Sequence, residues 1–252
     1  MKIKFLGSGG AFVNDKENYH SNILIIGNKE ILLYDAGCDI RNSLNYSNYA
    51  INDIDKIFIS HLHSDHCGGI EFLGFSTLFS KQQKITLISS KNILKNGWKH
   101  HWSGTMKYTH IGKLFLKDYF DILTLKNSFL FENIKIKVIK NNHITTNKYK
   151  LPSFGLKFKN KKKVFISGDT TLNKTRLNKL KNYDLIFHEC NFAGNNNVHT
   201  TLNELKTLNK NIISKIWIYH YDLKGKDFYK MNHKIQKLGF KGLVKRGDEF
   251  KF

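Results

Sequence analysis

Apolar and polar positions alternate in short blocks along the first third of the chain. Three blocks read as β-strands, Lys2–Leu6, Asn22–Ile26 and Glu30–Tyr34, each bounded by Gly or Asn. Gly7-Ser8-Gly9-Gly10 follows the first as a flexible turn. Asp39–Tyr49 has the spacing of a helix, and Lys56–Ser60 (KIFIS) is a short apolar run predicted as a buried strand that ends at His61. Ile70–Phe79 has helical apolar spacing and Lys84–Ser89 predicts another strand. Strands return at Phe129–Phe131, Lys135–Ile139, Phe154–Phe158 and Val164–Ser167, followed by a helix over Lys174–Leu180. Asp184–His188 and Lys215–Tyr219 are apolar strands ending at polar residues, and Tyr229–Leu238 reads as the last helix. The closing GLVKRGDEFKF predicts two strands joined as a hairpin. There is no fixed-period repeat, low-complexity linker or composition break. The pattern therefore predicts one α/β domain over residues 1–252, with two packed sheets and helices outside them.

One segment resists this reading. Gly97–Tyr119 sets Trp98, Trp102, Tyr108 and Tyr119 among His100, His101, His110 and several lysines. A lid, a dimer surface and an amphipathic excursion all fit it.

Composition narrows the class. A chain of 252 residues can bury a sizeable core. No apolar run reaches the roughly 18 residues of a membrane span, and the apolar stretch in MKIKFLGSGG is too short for a signal sequence. Cys38, Cys67 and Cys190 are far apart and odd in number, which favours a reducing cytoplasm over a disulfide framework. Cys67, next to the histidine motif below, reads as a small buried apolar residue. The formal charge of +21 suggests a polyanion such as tRNA. Yet lysine supplies 38 of the 41 basic residues, with only Arg41, Arg176 and Arg246 besides. Nucleic-acid sites favour the planar fork of arginine, so lysine spread along the whole chain reads as compositional bias. It would still attract a small phosphate ester.

The chemistry concentrates in His61-Leu62-His63-Ser64-Asp65-His66, directly after the KIFIS strand. Imidazole and carboxylate are the usual ligands of zinc and similar divalent ions. In an extended segment, residues two apart face the same way, so His61 and His63 can grip one ion. After a turn, Asp65 and His66 can reach a second, and Gly68-Gly69 lets the backbone bend sharply beyond them. Further candidates stand where apolar strands end: His143 after IKIKVIKNN, Asp169 closing VFISGD, and His220 closing KIWIYH.

In order and spacing, HLHSDH, His143, SGDT around Asp169 and YHY around His220 resemble the metallo-β-lactamase superfamily over nearly the whole chain. The resemblance implies a four-layer αββα sandwich with metals at one edge. It also implies that His61, His63 and His143 hold one zinc, that Asp65, His66 and His220 hold another, and that Asp169 bridges them, with manganese as the alternative metal. FLGSGGAF at the start, HEC at His188–Cys190 and HTT at His199–Thr201 resemble the tRNase Z branch. By that resemblance, Glu189 orients His199, which protonates the leaving oxygen. Thr201 also suits the N-cap of a helix starting at Leu202. Asp35 in LLYDAG reads as a buttress for a ligand histidine rather than a ligand.

The tRNA-processing enzymes carry a tRNA-gripping arm between the positions of His143 and Asp169, where this chain has only a short stretch filled by two expected strands. HLHSDHCGGIEFLGFST, VHTTLNELKTL, IWIYHY and GFKGLVKRGDEFKF are similar to cyclic-nucleotide phosphodiesterases of the anti-Pycsar type, found in phages and bacteria. That resemblance implies hydrolysis of 3′,5′-cyclic mononucleotides such as cCMP, cUMP, cAMP and cGMP to 5′-monophosphates. It also implies a homodimer, with a tRNase Z-like RNA-processing nuclease as the alternative activity.

Overall fold

The fold was analysed in a computed structural model, which describes residues 1–14, 18–80, 83–146, 148–194 and 197–252. The strands in chain order are β1 (Lys2–Phe5), β2 (Ile23–Ile26), β3 (Ile31–Tyr34), β4 (Lys56–Phe58), β5 (Thr86–Ser90), β6 (Tyr108–Thr109), β7 (Gly112–Lys113) and β8 (Asp121–Leu125). They continue with β9 (Ser128–Phe131), β10 (Ile134–Thr145), β11 (Lys150–Lys159), β12 (Lys163–Ile166), β13 (Leu185–Glu189), β14 (Ile216–Tyr219), β15 (Gly242–Leu243) and β16 (Glu249–Lys251). One 7-stranded sheet runs β16-β1-β2-β3-β4-β5-β8 and another β15-β14-β13-β12-β11-β10-β9. Each is antiparallel in one half and parallel in the other: β3, β4, β5 and β8 run parallel in the first, and β12 to β15 in the second.

The four layers follow from side-chain alternation. Successive residues of a strand face opposite sides of the sheet. In the first sheet Ile23, Ile25, Leu32, Tyr34, Phe58 and Ile88 face the second sheet, where they meet Phe129, Ile136, Leu156, Val164, Ile166 and Phe187. Their neighbours Leu24, Leu33, Ile57 and Leu87 face outward onto Ile40 and Leu44, Ile70 and Leu73, from the helices Ile40–Tyr46 and Ile70–Ser80. Phe165, Ile186, Ile216 and Ile218 likewise meet Leu177, Leu205, Ile212 and Ile235 on the far side. Three apolar layers thus separate helix, sheet, sheet and helix. Runs such as ILII and IWIY are apolar throughout because both faces of these strands are covered. This is the metallo-β-lactamase αββα sandwich.

The structure corrects several boundaries. GLVKRGDEFKF is no hairpin: β15 pairs with β14 in one sheet and β16 with β1 in the other. Val244 and Phe250 pack into the inter-sheet layer, so the chain bridges the sheets there instead of folding back on itself. The strand expected to stop at Ile139 runs on to Thr145, because Lys140, Asn141 and Asn142 hide the alternation at the sheet's polar end. The strand β8 and the helix Lys91–Gly97 went unrecognised. β8 is an edge strand with little burial, which leaves no alternating pattern to read. In Gly97–Tyr119, Trp102, Met106 and Tyr119 are core residues packed beside the helix Ile70–Ser80, while Tyr108, Ile111 and Phe115, in and around the β6–β7 hairpin, stand exposed. Cys67 is fully buried, and among the described residues no helix is long and apolar enough to cross a membrane.

Phe58 ties the sheets together three residues before His61. Its ring stacks on Tyr34 of its own sheet at 5.4 Å between centroids and on Phe129 of the other at 5.8 Å. Phe58→Ala should destabilise the protein by about 3–5 kcal/mol and Phe58→Leu by less. Urea unfolding with an unchanged slope is the measurement, and a loss below about 1 kcal/mol for the alanine variant would contradict this packing.

Candidate metal centre

The site gathers at the carboxyl ends of parallel strands from both sheets, where ligands of open α/β sheets are bound. Asp35 follows β3, His61 lies shortly beyond β4, Asp169 follows β12, Glu189 ends β13 and His220 follows β14. The backbone turns abruptly at these ends: Asp35 and His220 have φ of 62° and 56°, and Gly168, before Asp169, has 61°. A side chain at Gly168 would also press on the Tyr34 hydroxyl, so both the turn and the space require glycine there.

His63 caps a single helical turn, Ser64–Cys67, which carries Asp65 and His66. Gly68 and Gly69 form the expected turn, between that helix and Ile70–Ser80, without a positive φ at Gly69. Gly69 also serves close packing, with a Cβ there lying 2.3 Å from the Ile40 side chain. His143 is not at a strand end: β10 continues past it, and the register with β11 shifts between Asn142 and Ile144. Such a bulge re-aims the side chain it carries.

The structure brings every candidate ligand together. His61, His63, His143 and Asp169 form one group able to hold an ion, and Asp65, His66 and His220 another. In the first, His63 Nδ1 lies 3.0 Å from His61 Nε2 and 3.1 Å from His143 Nε2. In the second, His66 Nε2 and His220 Nε2 are 3.2 Å apart, and each is within 3.2 Å of Asp65 Oδ2. Ligands of a tetrahedral zinc are separated by about 3.3 Å at Zn–N distances near 2.0–2.1 Å. Asp169 stands between the groups, 3.3 Å from His66 Nε2, 3.7 Å from His61 Nε2 and 3.5 Å from His220 Nε2. Both its carboxylate oxygens are buried without a hydrogen-bond partner. A buried orphan carboxylate amid converging imidazoles fits a cation.

The outer nitrogens are committed to hydrogen bonds. His66 Nδ1–H donates to Asp35 Oδ2 at 2.8 Å, and the Ser60 hydroxyl donates to the same oxygen at 2.8 Å. His61 Nδ1–H donates to Ser60 Oγ at 2.9 Å, and His143 Nδ1–H to the Val198 carbonyl at 3.2 Å. Each turns its Nε2 inward, the orientation a metal ligand needs. Burial pushes His61 well below the usual histidine range and His143 down to about 4, so both are neutral near pH 7. Burial also pulls on His66, but Asp169, Asp65 and Asp35 outweigh it and hold that imidazole protonated in the metal-free cluster. The centre collects positive charge.

Glu189 and His199 adjoin the cluster. His199 Nδ1 is 3.2 Å from Glu189 Oε1 and 3.8 Å from Asp169 Oδ2, and its ring lies 5.1 Å from that of His143 and 5.3 Å from that of His220. Burial would lower the His199 pKa, but the Glu189 hydrogen bond and charge raise it to about 9. Glu189 Oε1 also accepts from the Thr170 and Thr200 amides, tying it to the loops beside both residues. Thr201 caps the helix Leu202–Leu205 in a reciprocal capping box with Glu204, so residue 199 leads into a fixed helix start. Sequence reasoning missed Ser60, Thr170, Thr200 and the Val198 carbonyl. All four adjoin a candidate residue in the chain, but hydroxyls and backbone groups carry no residue-type signal.

Residues 1–250 match the protein family described as "Anti-Pycsar protein Apyc1". Proteins of that name from Paenibacillus harenae and from Bacillus phage BSP38 are 31% and 29% identical, over 88% and 90% of this chain and 90% and 91% of theirs. Among solved structures, the metallo-β-lactamase-fold protein YhfI from Bacillus subtilis superposes with a TM-score of 0.76 at 18% identity, covering 99% of this chain and 98% of that one. With its fold, its buried His/Asp cluster and a match running from end to end, the chain belongs to the anti-Pycsar protein Apyc1 family.

Proposed function

We propose that the protein is a dinuclear phosphodiesterase that hydrolyses 3′,5′-cyclic mononucleotides to 5′-monophosphates, an activity that would counter cyclic-nucleotide anti-phage signalling. The observation that carries this reading is His199, held by Glu189 against Asp169 between the two ligand groups. The residues fit two divalent ions, zinc foremost and manganese as the alternative. His61, His63 and His143 would hold one, Asp65, His66 and His220 the other, and Asp169 both. Bound there, such ions would activate water and neutralise charge on the phosphate's non-bridging oxygens. The chain's own contribution is a proton. Water attacks phosphorus and loses a proton to solvent, the P–O3′ bond breaks, and His199 protonates the departing 3′-oxygen, so the phosphate remains on the 5′-oxygen. Glu189 keeps the imidazolium formed and oriented.

A small ester suits the surroundings better than a long RNA. Between His143 and Asp169 the described residues lie in β10, β11, β12 and their short connections. No described segment there projects as a gripping arm. The relatives named anti-Pycsar proteins support the same substrate class.

Turnover of cCMP, cUMP, cAMP and cGMP, with the 5′-monophosphate as product, is the expected outcome. Cleavage of a tRNA precursor without turnover of any cyclic nucleotide would overturn the proposal. His199→Ala should lose about 10²–10⁴-fold on cyclic nucleotides, and much less on bis(p-nitrophenyl) phosphate, whose leaving group needs no proton. Equal losses on both would remove His199 from the proton-donor role. Elemental analysis should find two divalent ions per chain and fewer in Asp169→Ala. A stoichiometry that stays at or below one after metal addition would exclude the dinuclear site.

The protein is also proposed to be a homodimer, with the exposed Tyr108, Ile111 and Phe115 supplying apolar contact area. Light scattering at assay concentration should return twice the chain mass of 29.4 kDa, and a monomer would exclude the pairing.

A further inference from the structure

Phe12 is 88% exposed, more than any other large apolar side chain among the described residues. It is nevertheless firmly placed. It sits at the tip of the turn Gly10–Val13, which is closed by Val13 N–H donating to the Gly10 carbonyl at 3.0 Å. The base of the turn is pinned by Gly10 N–H donating to the Tyr221 carbonyl at 3.1 Å. A Cβ built on Gly10 would stand 3.4 Å from Cε1 of His220, so the backbone of the turn lies directly against a candidate ligand ring. Phe12, His199, His220, Asn191 and Asp222 line one cleft of about 380 Å³. A second cleft, of about 490 Å³, opens against His61, His63 and His143 and does not include His199.

The reaction chooses between the clefts. The 3′-oxygen that accepts the His199 proton belongs to the ribose, so the ribose lies on the His199 side. The base is attached at C1′, across the sugar from the cyclic phosphate, and so points away from the cluster toward the mouth of that cleft. The ring there is Phe12. An exposed aromatic face beside a nucleotide site is a stacking surface, and stacking is tolerant of base identity because every base has a π-face.

We propose that Phe12 is the platform on which the substrate's nucleobase stacks, with the nucleoside in the cleft shared by His199, Asn191 and Asp222. The inference rests on the cyclic-nucleotide reading above and adds the residue that holds the base. It implies a loose base preference, with purines ranked above pyrimidines by stacking area. Phe12 makes no contact with phosphorus, so it acts on binding rather than on the chemical step.

The test compares wild type, Phe12→Ala and Phe12→Tyr. The substrates are cAMP, cCMP and the base-free methyl riboside 3′,5′-cyclic phosphate, with calorimetric affinity for AMP as a readout independent of turnover. Phe12→Ala should raise KM for cAMP roughly 5- to 150-fold, the range that loss of one base–aromatic stack produces, with kcat nearly unchanged. The rise should be smaller for cCMP and absent for the base-free substrate. AMP affinity should fall in parallel, and Phe12→Tyr should restore it. An unchanged KM for cAMP, or an equal rise on the base-free substrate, would overturn the inference while leaving the phosphodiesterase intact. Failure of the wild type on every cyclic nucleotide would sink the underlying reading, and this inference with it.

Discussion

Asp35 is a fully buried carboxylate at the end of β3, and two imidazoles from different ligand groups take their orientation from it. Its Oδ2 accepts from His66 directly and from His61 through the Ser60 hydroxyl, while Oδ1 accepts the Ser60 amide at 2.7 Å. An isolated carboxylate in such a place is costly, and its own pKa is raised by that burial despite His66 beside it. What makes it tolerable is that these donors are fixed by the backbone, Ser60 just beyond β4 and His66 on the helical turn Ser64–Cys67. The left-handed turn at Asp35 that points its carboxylate inward is part of the same arrangement. Removing this one group would free the His66 ring, loosen the Ser60 hydroxyl that orients His61, and leave three buried donors unpaired.

The electrostatics follow from that anchor. Neutral His61 and His143 on one side and the acid-flanked His66 on the other make a polar centre that favours positive charge. Asp169 sits in it with neither oxygen hydrogen-bonded, a condition that ordinary folded proteins avoid. The surrounding sandwich is therefore organised around a centre that the chain alone does not complete. His199 lies in the same field but is hydrogen-bonded to Glu189, outside the two groups of converging imidazoles.

Much of this was legible from residue types. His61, His63, Asp65 and His66 stand within one short stretch, and Asp169 and His220 follow apolar runs whose burial on both faces marks the core. Asp35 was recognisable because it too closes an apolar run. The obscure parts share a cause: they depend on backbone geometry or on partners distant in sequence. The His143 bulge is invisible because Lys140–Asn142 look like the end of a strand when they are its polar margin. The turn at Gly69 was legible, but its close contact with Ile40 was not. The closing residues read as a local hairpin because a strand pair near in sequence is the simplest pairing, while their burial partners lie in two different sheets. Gly97–Tyr119 mixed signals because Trp102 and Tyr119 belong to the core and Tyr108 to the surface.

The donors of each group come from both sheets. In the first group, His61 and His63 follow β4 while His143 stands on β10, and His63 and His143 are 80 positions apart. In the second, Asp65 follows His63 while His220 follows β14, a separation of 155. An ion held at either place is thus a clasp across the seam between two layers that side-chain packing such as Phe5 on Phe187 also joins. Parting the layers would forfeit its binding free energy, so occupancy is coupled to the cohesion of the sandwich. Processes that begin at an opened seam, such as proteolytic nicking or edge-to-edge association of exposed strands, would draw on that same free energy. Divalent-ion supply would then set how long the folded protein survives as well as how fast it works.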